Sequence, residues 1–111
     1  MILCVPVTGT GEVDPRWGRA GRVAVAEVVG GTVRSWDEFD VAWDRLHDEG
    51  TEGGHHARVA RFVQEHRATI VVAGHMGDPM VQMLGRMHIG VQLGVSGDAR
   101  LAVLAAAGRL S

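Results

Sequence analysis

The ten residues from Ile70 to Pro79, IVVAGHMGDP, constrain the fold more than any other stretch of the chain. Ile70 to Ala73 is an unbroken apolar run, short enough for a strand and apolar enough to be covered by helices on both faces. Gly74 and Gly77 permit a tight turn behind it. Asp78-Pro79 then reads as an N-cap and a first helical position. A strand that turns directly into a helix sets the helix's unpaired N–H groups at the strand's carboxyl end, where α/β domains hold ligands. His75 and Met76 sit inside that turn.

The remaining segments arrange themselves around this unit. Ile2 to Val7 reads as a buried strand, and Arg22 to Val29 and Thr32 to about Ala42 as a hairpin turned at Gly30-Gly31. Trp36, Phe39, Trp43 and Leu46 lie at helical spacing while Phe39, Val41 and Trp43 alternate, and the alternation predicts strand. A helix over His55 to Arg67 turns Val59, Phe62, Val63 and His66 inward. A second, from Pro79 to about His88, turns Met80, Met83, Leu84 and Met87 inward as flexible core filling. Val91, Leu93 and Val95 alternate in a last strand, and Ser96 to Asp98 opens a final helix.

The order β-β-β-α-β-α-β-α predicts a five-stranded mixed sheet flanked by helices, an α/β fold with a ribonuclease H-like motif, in one domain over residues 1–111. Two hairpin connections make the third strand parallel to the first, and helical crossovers keep the last two parallel as well. The loops Thr8 to Arg19, His47 to His56, Gly74 to Asp78 and Ser96 to Asp98 then meet at one rim.

Histidine and carboxylate chemistry concentrates on that rim. His47, Asp48, Glu49, Glu52, His55, His56 and His75 are the candidate metal ligands, of which His47 and the acids read as solvated loop. His55 and His56 open a helix, whose positive end keeps imidazole neutral and competent as a ligand. With His75 they form the expected metal set. Arg19 and Arg58 would supply positive charge to an anion, and the N–H groups of Gly77 and Asp78 would face it. His66 and His88 fall at helix carboxyl ends, where the dipole favours a histidine. Two-metal nuclease chemistry needs carboxylates on the central strands, and neither Ile2 to Val7 nor Thr69 to Ala73 carries one. Cys4 lies mid-strand as a structural thiol, and no nucleophile elbow or Walker loop is present. A divalent site for zinc, nickel or copper, using rim histidines with Glu52 or Asp48, is an alternative. A protein–protein interaction module is another. Trp17, Trp36 and Trp43 either anchor an interface, with a homodimer as the simplest form, or cover the sheet within one chain.

A net charge of -2 gives no electrostatic footprint for nucleic acid. No run of apolar residues is long enough to span a membrane, and no leader segment is recognisable. A single cysteine fits a reducing compartment, so a cytoplasmic location is expected.

Four ordered segments carry a family resemblance. They are Val5-Pro6-Val7 with Val13 to Ala20, Gly53 to Phe62, Ala73 to Gly77, and Gly94 to Arg100. Together they resemble the dinitrogenase iron–molybdenum cofactor biosynthesis family, whose members include small cofactor carriers. The resemblance implies a ribonuclease H-like fold and no catalysis. It implies transient binding of an iron–sulfur- or iron–molybdenum-type cluster or its precursor; for such a cargo the rim reading gives His75, Met76, Gly77, Asp78, Arg19 and Arg58 as the expected cofactor-binding set. It also implies metal-cluster assembly proteins as partners, in a setting related to nitrogen fixation. The family often has a histidine-phenylalanine-glycine-arginine-alanine run where this chain has Arg16 to Ala20, which removes one candidate ligand. With Cys4 alone, an all-thiolate cluster site within one chain is excluded.

Overall fold

The structure is a computed structural model that describes residues 1–110. Its strands are β1 (Ile2–Pro6), β2 (Arg22–Val29), β3 (Thr32–Asp40), β4 (Ile70–Val72) and β5 (Gly90–Gln92). The helices are α1 (Trp43–Leu46), α2 (Glu52–Glu65), α3 (Asp78–Arg86) and α4 (Ala99–Leu110). The sheet order is β3-β2-β1-β4-β5. β1 pairs antiparallel with β2 and parallel with β4, β2 pairs antiparallel with β3, and β4 pairs parallel with β5. The predicted five-stranded mixed sheet is therefore present, with four strands ending at the same rim.

Strand alternation divides the core into two layers. Leu3, Val5, Ala24, Ala26, Ile70 and Val72 face α4 and pack on Ala99, Val103 and Ala106. Cys4, Val23, Val71 and Ala73 face the other way, onto Trp17, Trp43, Val59, Val63 and Leu84. This two-sided burial is why β1 and β4 are uninterrupted apolar runs. Gly30 and Gly31 have φ of 57° and 77°, the left-handed pair that a two-residue hairpin turn requires.

Several boundaries differ from the sequence reading. β3 stops at Asp40, because Ala42 adopts φ 53° and redirects the chain into α1. The N–H groups of Val41 and Ala42 both donate to the Gly21 carbonyl, at 3.0 and 3.1 Å, and fix this corner. α2 begins earlier than predicted, at Glu52, since Thr51 Oγ1 accepts from the Gly54 N–H at 3.0 Å and caps it. α3 is capped by Gly77, with Asp78 and Pro79 both inside its first turn. β5 ends at Gln92, before the left-handed Gly94 (φ 74°).

The tryptophans settle as a core element. Trp17 is fully buried and meets Trp43 edge-on at 5.1 Å; Trp43 in turn meets Phe62 at 5.5 Å. Phe62 contacts Phe39 and His66, extending the chain of rings along α2. Trp17 and Trp43 thus cover the sheet within one chain and do not anchor an interface. Trp36 stays half-buried under the Arg100 guanidinium, 4.6 Å from its ring centre. Among the described residues, no helix is long and apolar enough to cross a membrane.

Candidate functional site

Three of the four rim loops enclose a cleft of about 450 Å³. The first loop contributes Gly18 and Arg19, and α1 contributes its C-cap, His47. The first turns of α2 contribute Glu52, His55 and His56. The turn after β4 and the start of α3 contribute Met76, Gly77, Pro79 and Met80. The fourth loop is held elsewhere: Asp98 bridges to Glu12, and the Val13 N–H donates to the Gly97 carbonyl at 2.8 Å.

Two helix N-termini therefore face one concavity. Gly77 caps α3 without any side-chain hydrogen bond; its carbonyl accepts from the Met80 and Val81 N–H groups, each at 3.1 Å, and Pro79 has none, which leaves the N–H groups of Gly77 and Asp78 as the donors at this end of α3. Arg19 is exposed and lines the same cleft. Met76 and Met80, each 5% exposed, line the floor with thioethers.

His55 is buried, and both its nitrogens are engaged. Nε2 lies 2.8 Å from the Gly18 carbonyl, which can only accept, so Nε2 carries the proton. Nδ1 lies 2.8 Å from Arg58 Nη1, which can only donate, so Nδ1 is the acceptor. The same Arg58 nitrogen donates to the Leu46 carbonyl at 3.2 Å. A chain of hydrogen bonds thus ties the first loop, α2 and the end of α1 together behind the cleft, and a metal at His55 would have to break it.

Burial is the main cause holding the His55 pKa below its usual value; the Gly18 carbonyl opposes this, and the charges of Arg58, His47 and His56 add to it. The unfolded chain therefore takes up this proton first on acidification. The His55 contribution to stability is complete above a pH of about 6.5 and drains away as pH falls from there toward the lowered folded value. In thermal melts between about pH 8 and 5, the gap in Tm between wild type and His55→Gln is expected to narrow toward acid. A gap that stays constant or widens would contradict the neutral tautomer.

His56 is half-buried, with Nε2 3.9 Å from Glu52 Oε1 one turn earlier. His47, expected in solvated loop, instead has a side chain only 19% exposed and a ring set edge-on to His55 at 5.9 Å. Its Nδ1 is 3.2 Å from Asp48 Oδ1 but out of line for a hydrogen bond. Among the described residues, His47 Nδ1 and Trp17 Nε1 are the buried side-chain polar atoms without a partner. The helical spacing of Trp43 and His47, one turn apart, was the available signal for His47.

Other expected site residues lie outside the lining. His75 is exposed: its N–H donates to the Pro15 carbonyl at 2.7 Å and its own carbonyl accepts from Trp17, an extended pairing beside Arg16. Successive side chains on extended backbone point opposite ways, so Met76 enters and His75 faces out. Asp78 is exposed on the first turn of α3, and Arg58 is drawn behind His55. His55, His56 and His75 are not brought together. Among the described residues, no three His, Cys, Asp or Glu side chains are grouped to hold a metal ion.

Fold and cleft define a small α/β domain of ribonuclease H-like topology with a ligand-sized cavity at the carboxyl rim of its parallel strands. The dinitrogenase iron-molybdenum cofactor family matches residues 1–108, and the chain belongs to that family. Its structure is similar to the crystal structure of PH0822, with a TM-score of 0.77 at 20% identity, over 98% of this chain and 92% of that one. It is also similar to the apo form of the orange protein from Desulfovibrio gigas, with a TM-score of 0.73 at 22% identity, over 97% and 84% of the two chains. No curated protein matches the chain.

Proposed function

We propose that the cleft takes up an anionic iron–sulfur- or iron–molybdenum-type cluster, or its precursor, as cargo, and that the chain passes it between metal-cluster assembly proteins without transforming it. The observation that carries this reading is the convergence of two helix N-termini, Arg19, His47, His56 and two thioethers on one cleft, whose one lining carboxylate, Glu52, lies 3.9 Å from His56 Nε2. Sulfide-rich anions accept N–H hydrogen bonds, and soft metals accept thioether and imidazole. Cys4 does not compete as a ligand, because it is fully buried and burial pushes its thiol up to about 12. A site that offers no thiolate holds a cluster reversibly, as a carrier must.

The test is anaerobic incubation with iron and sulfide, or with an isolated cofactor, followed by gel filtration. The expected result is a charge-transfer chromophore that travels with the protein. Clean separation of the two would count against the proposal. His56→Ala and Arg19→Ala are each expected to weaken capture at least tenfold, or about 1.4 kcal/mol, while His88→Ala at the far end of α3 leaves it unchanged. Loss of capture in His75→Ala but not in His56→Ala would move the cargo to the outer lip.

The His56–Glu52 pair favours a second reading, a divalent transition metal. Elemental analysis of protein purified without added metal separates the two, since tightly held zinc without sulfide would support this one.

A further inference from the structure

Histidines apart, two charged side chains among the described residues line the cleft, Arg19 and Glu52. Their charges are opposite, so the cleft wall carries little net field. The neighbouring carboxylates stay out of the lining: Asp48 lies 3.2 Å from His47 Nδ1, and Asp78 is exposed on the first turn of α3. A carboxylate works against an anionic cargo, and capping α2 does not call for one here. Thr51 already caps that helix, accepting from the Gly54 N–H at 3.0 Å. Among the described residues, the one partner of the Glu52 carboxylate is His56, a turn further on, with Oε1 3.9 Å from Nε2. That separation is too long for a hydrogen bond and short enough for a charge to be felt. The Glu52 side chain is 79% exposed, so it has room to turn away into solvent.

We infer that Glu52 is the release residue of the cleft: it stands beside His56 when the cleft is empty and opposes the anion when the cleft is filled. The inference rests on the cargo reading above. Capture requires the carboxylate to leave His56 and turn outward. When an acceptor draws the anion away, the carboxylate returns to His56 and hinders recapture. Glu52 thus lowers affinity in the one place where a carrier gains from doing so. The sign of the effect follows from Coulomb's law: repulsion grows with the negative charge of the cargo, and a cation is attracted by the same carboxylate. Exposure to solvent screens both, which keeps the effect to a modest factor that falls with salt. A carboxylate kept only to favour the first turn of α2 would change helix stability and would not discriminate between ligands of opposite charge.

The test is anaerobic equilibrium dialysis of wild type and Glu52→Gln against two probes, each alone: tetrathiomolybdate, a sulfide-rich molybdenum dianion, and zinc ion. Glu52→Gln should bind the dianion about three- to tenfold more tightly, release it correspondingly more slowly, and bind zinc more weakly. The gain for the dianion should shrink as salt is raised from about 0.02 to 0.5 M. Asp37→Asn makes the same charge change on the exposed edge strand β3, outside the lining, and should stay within about twofold of wild type. Equal dianion affinity in wild type and Glu52→Gln overturns the inference and leaves the cargo reading standing. So does a gain that Asp37→Asn reproduces, or dianion binding that Glu52→Gln weakens. If neither protein binds the dianion while wild type holds zinc tightly, the cargo reading fails and this inference fails with it.

Discussion

Truncating Trp17 to alanine is expected to cost about 3–5 kcal/mol, read as a fall in the urea midpoint at unchanged slope. The side chain is fully buried and packs edge-on against Trp43 at 5.1 Å. Through Trp43 and Phe62 it joins the first rim loop to α1 and α2, so the void it leaves sits among three elements and none can collapse into it alone. Trp17→Phe provides the contrast. It keeps most of the ring volume and removes an indole N–H that is buried without a partner. Removing an unpaired buried donor offsets part of the lost packing, so Trp17→Phe is expected to cost about 1 kcal/mol or less. Equal losses for the two substitutions would show that the indole N–H is satisfied and that ring volume is not what matters.

The elements that were legible in the sequence are those whose burial is uniform. β1 and β4 are apolar on both faces and read as strands from composition alone, and the Gly30-Gly31 turn reads from the only residue type that adopts its backbone without strain. Element order then gave the topology, and topology gave the rim. What misled was phase. His55 stands one turn before Val59, which stands one turn before Val63, so the inward stripe of α2 already includes it; counted from the predicted start of the helix, it looked like an end residue free to bind. His75 looked central because its flanking glycines suggested a loop, yet its backbone is extended and paired, which turns the imidazole out and Met76 in. Val41 and Ala42 read as strand because Phe39, Val41 and Trp43 alternate. A single left-handed alanine, Ala42, converts that alternation into a corner, and no side-chain pattern announces it. His47 was lost with the same helix.

Gly74→Ala is expected to lower stability by about 2–4 kcal/mol, combining overpacking with a lost hydrogen bond. A Cβ at this position would lie 2.9 Å from Pro15 Cα and 3.0 Å from the Pro15 carbonyl oxygen. Both are backbone atoms, so no rotamer change relieves the contact. The neighbouring bond from the His75 N–H to the Pro15 carbonyl, at 2.7 Å, holds the same two segments together, while the Gly74 carbonyl accepts from Gly94 at 2.9 Å on the other side. Gly74 is therefore clamped between the first loop and the segment after β5, and a methyl group must push the first loop outward. That loop carries Gly18, which accepts from His55, and Arg19, which walls the cleft. On the proposed function, cluster capture should consequently fall by more than tenfold even at temperatures where the variant remains folded. Gly77→Ala is the control within the same turn. Its φ of -67° suits any residue, and its added Cβ would meet only Pro79 Cδ, at 3.9 Å. Its urea midpoint should stay near wild type, within about 0.5 kcal/mol. If Gly74→Ala also unfolds at the wild-type midpoint, the first loop does not approach β4 as closely as this geometry requires, and the cleft walls are not held together by the Pro15–His75 pairing.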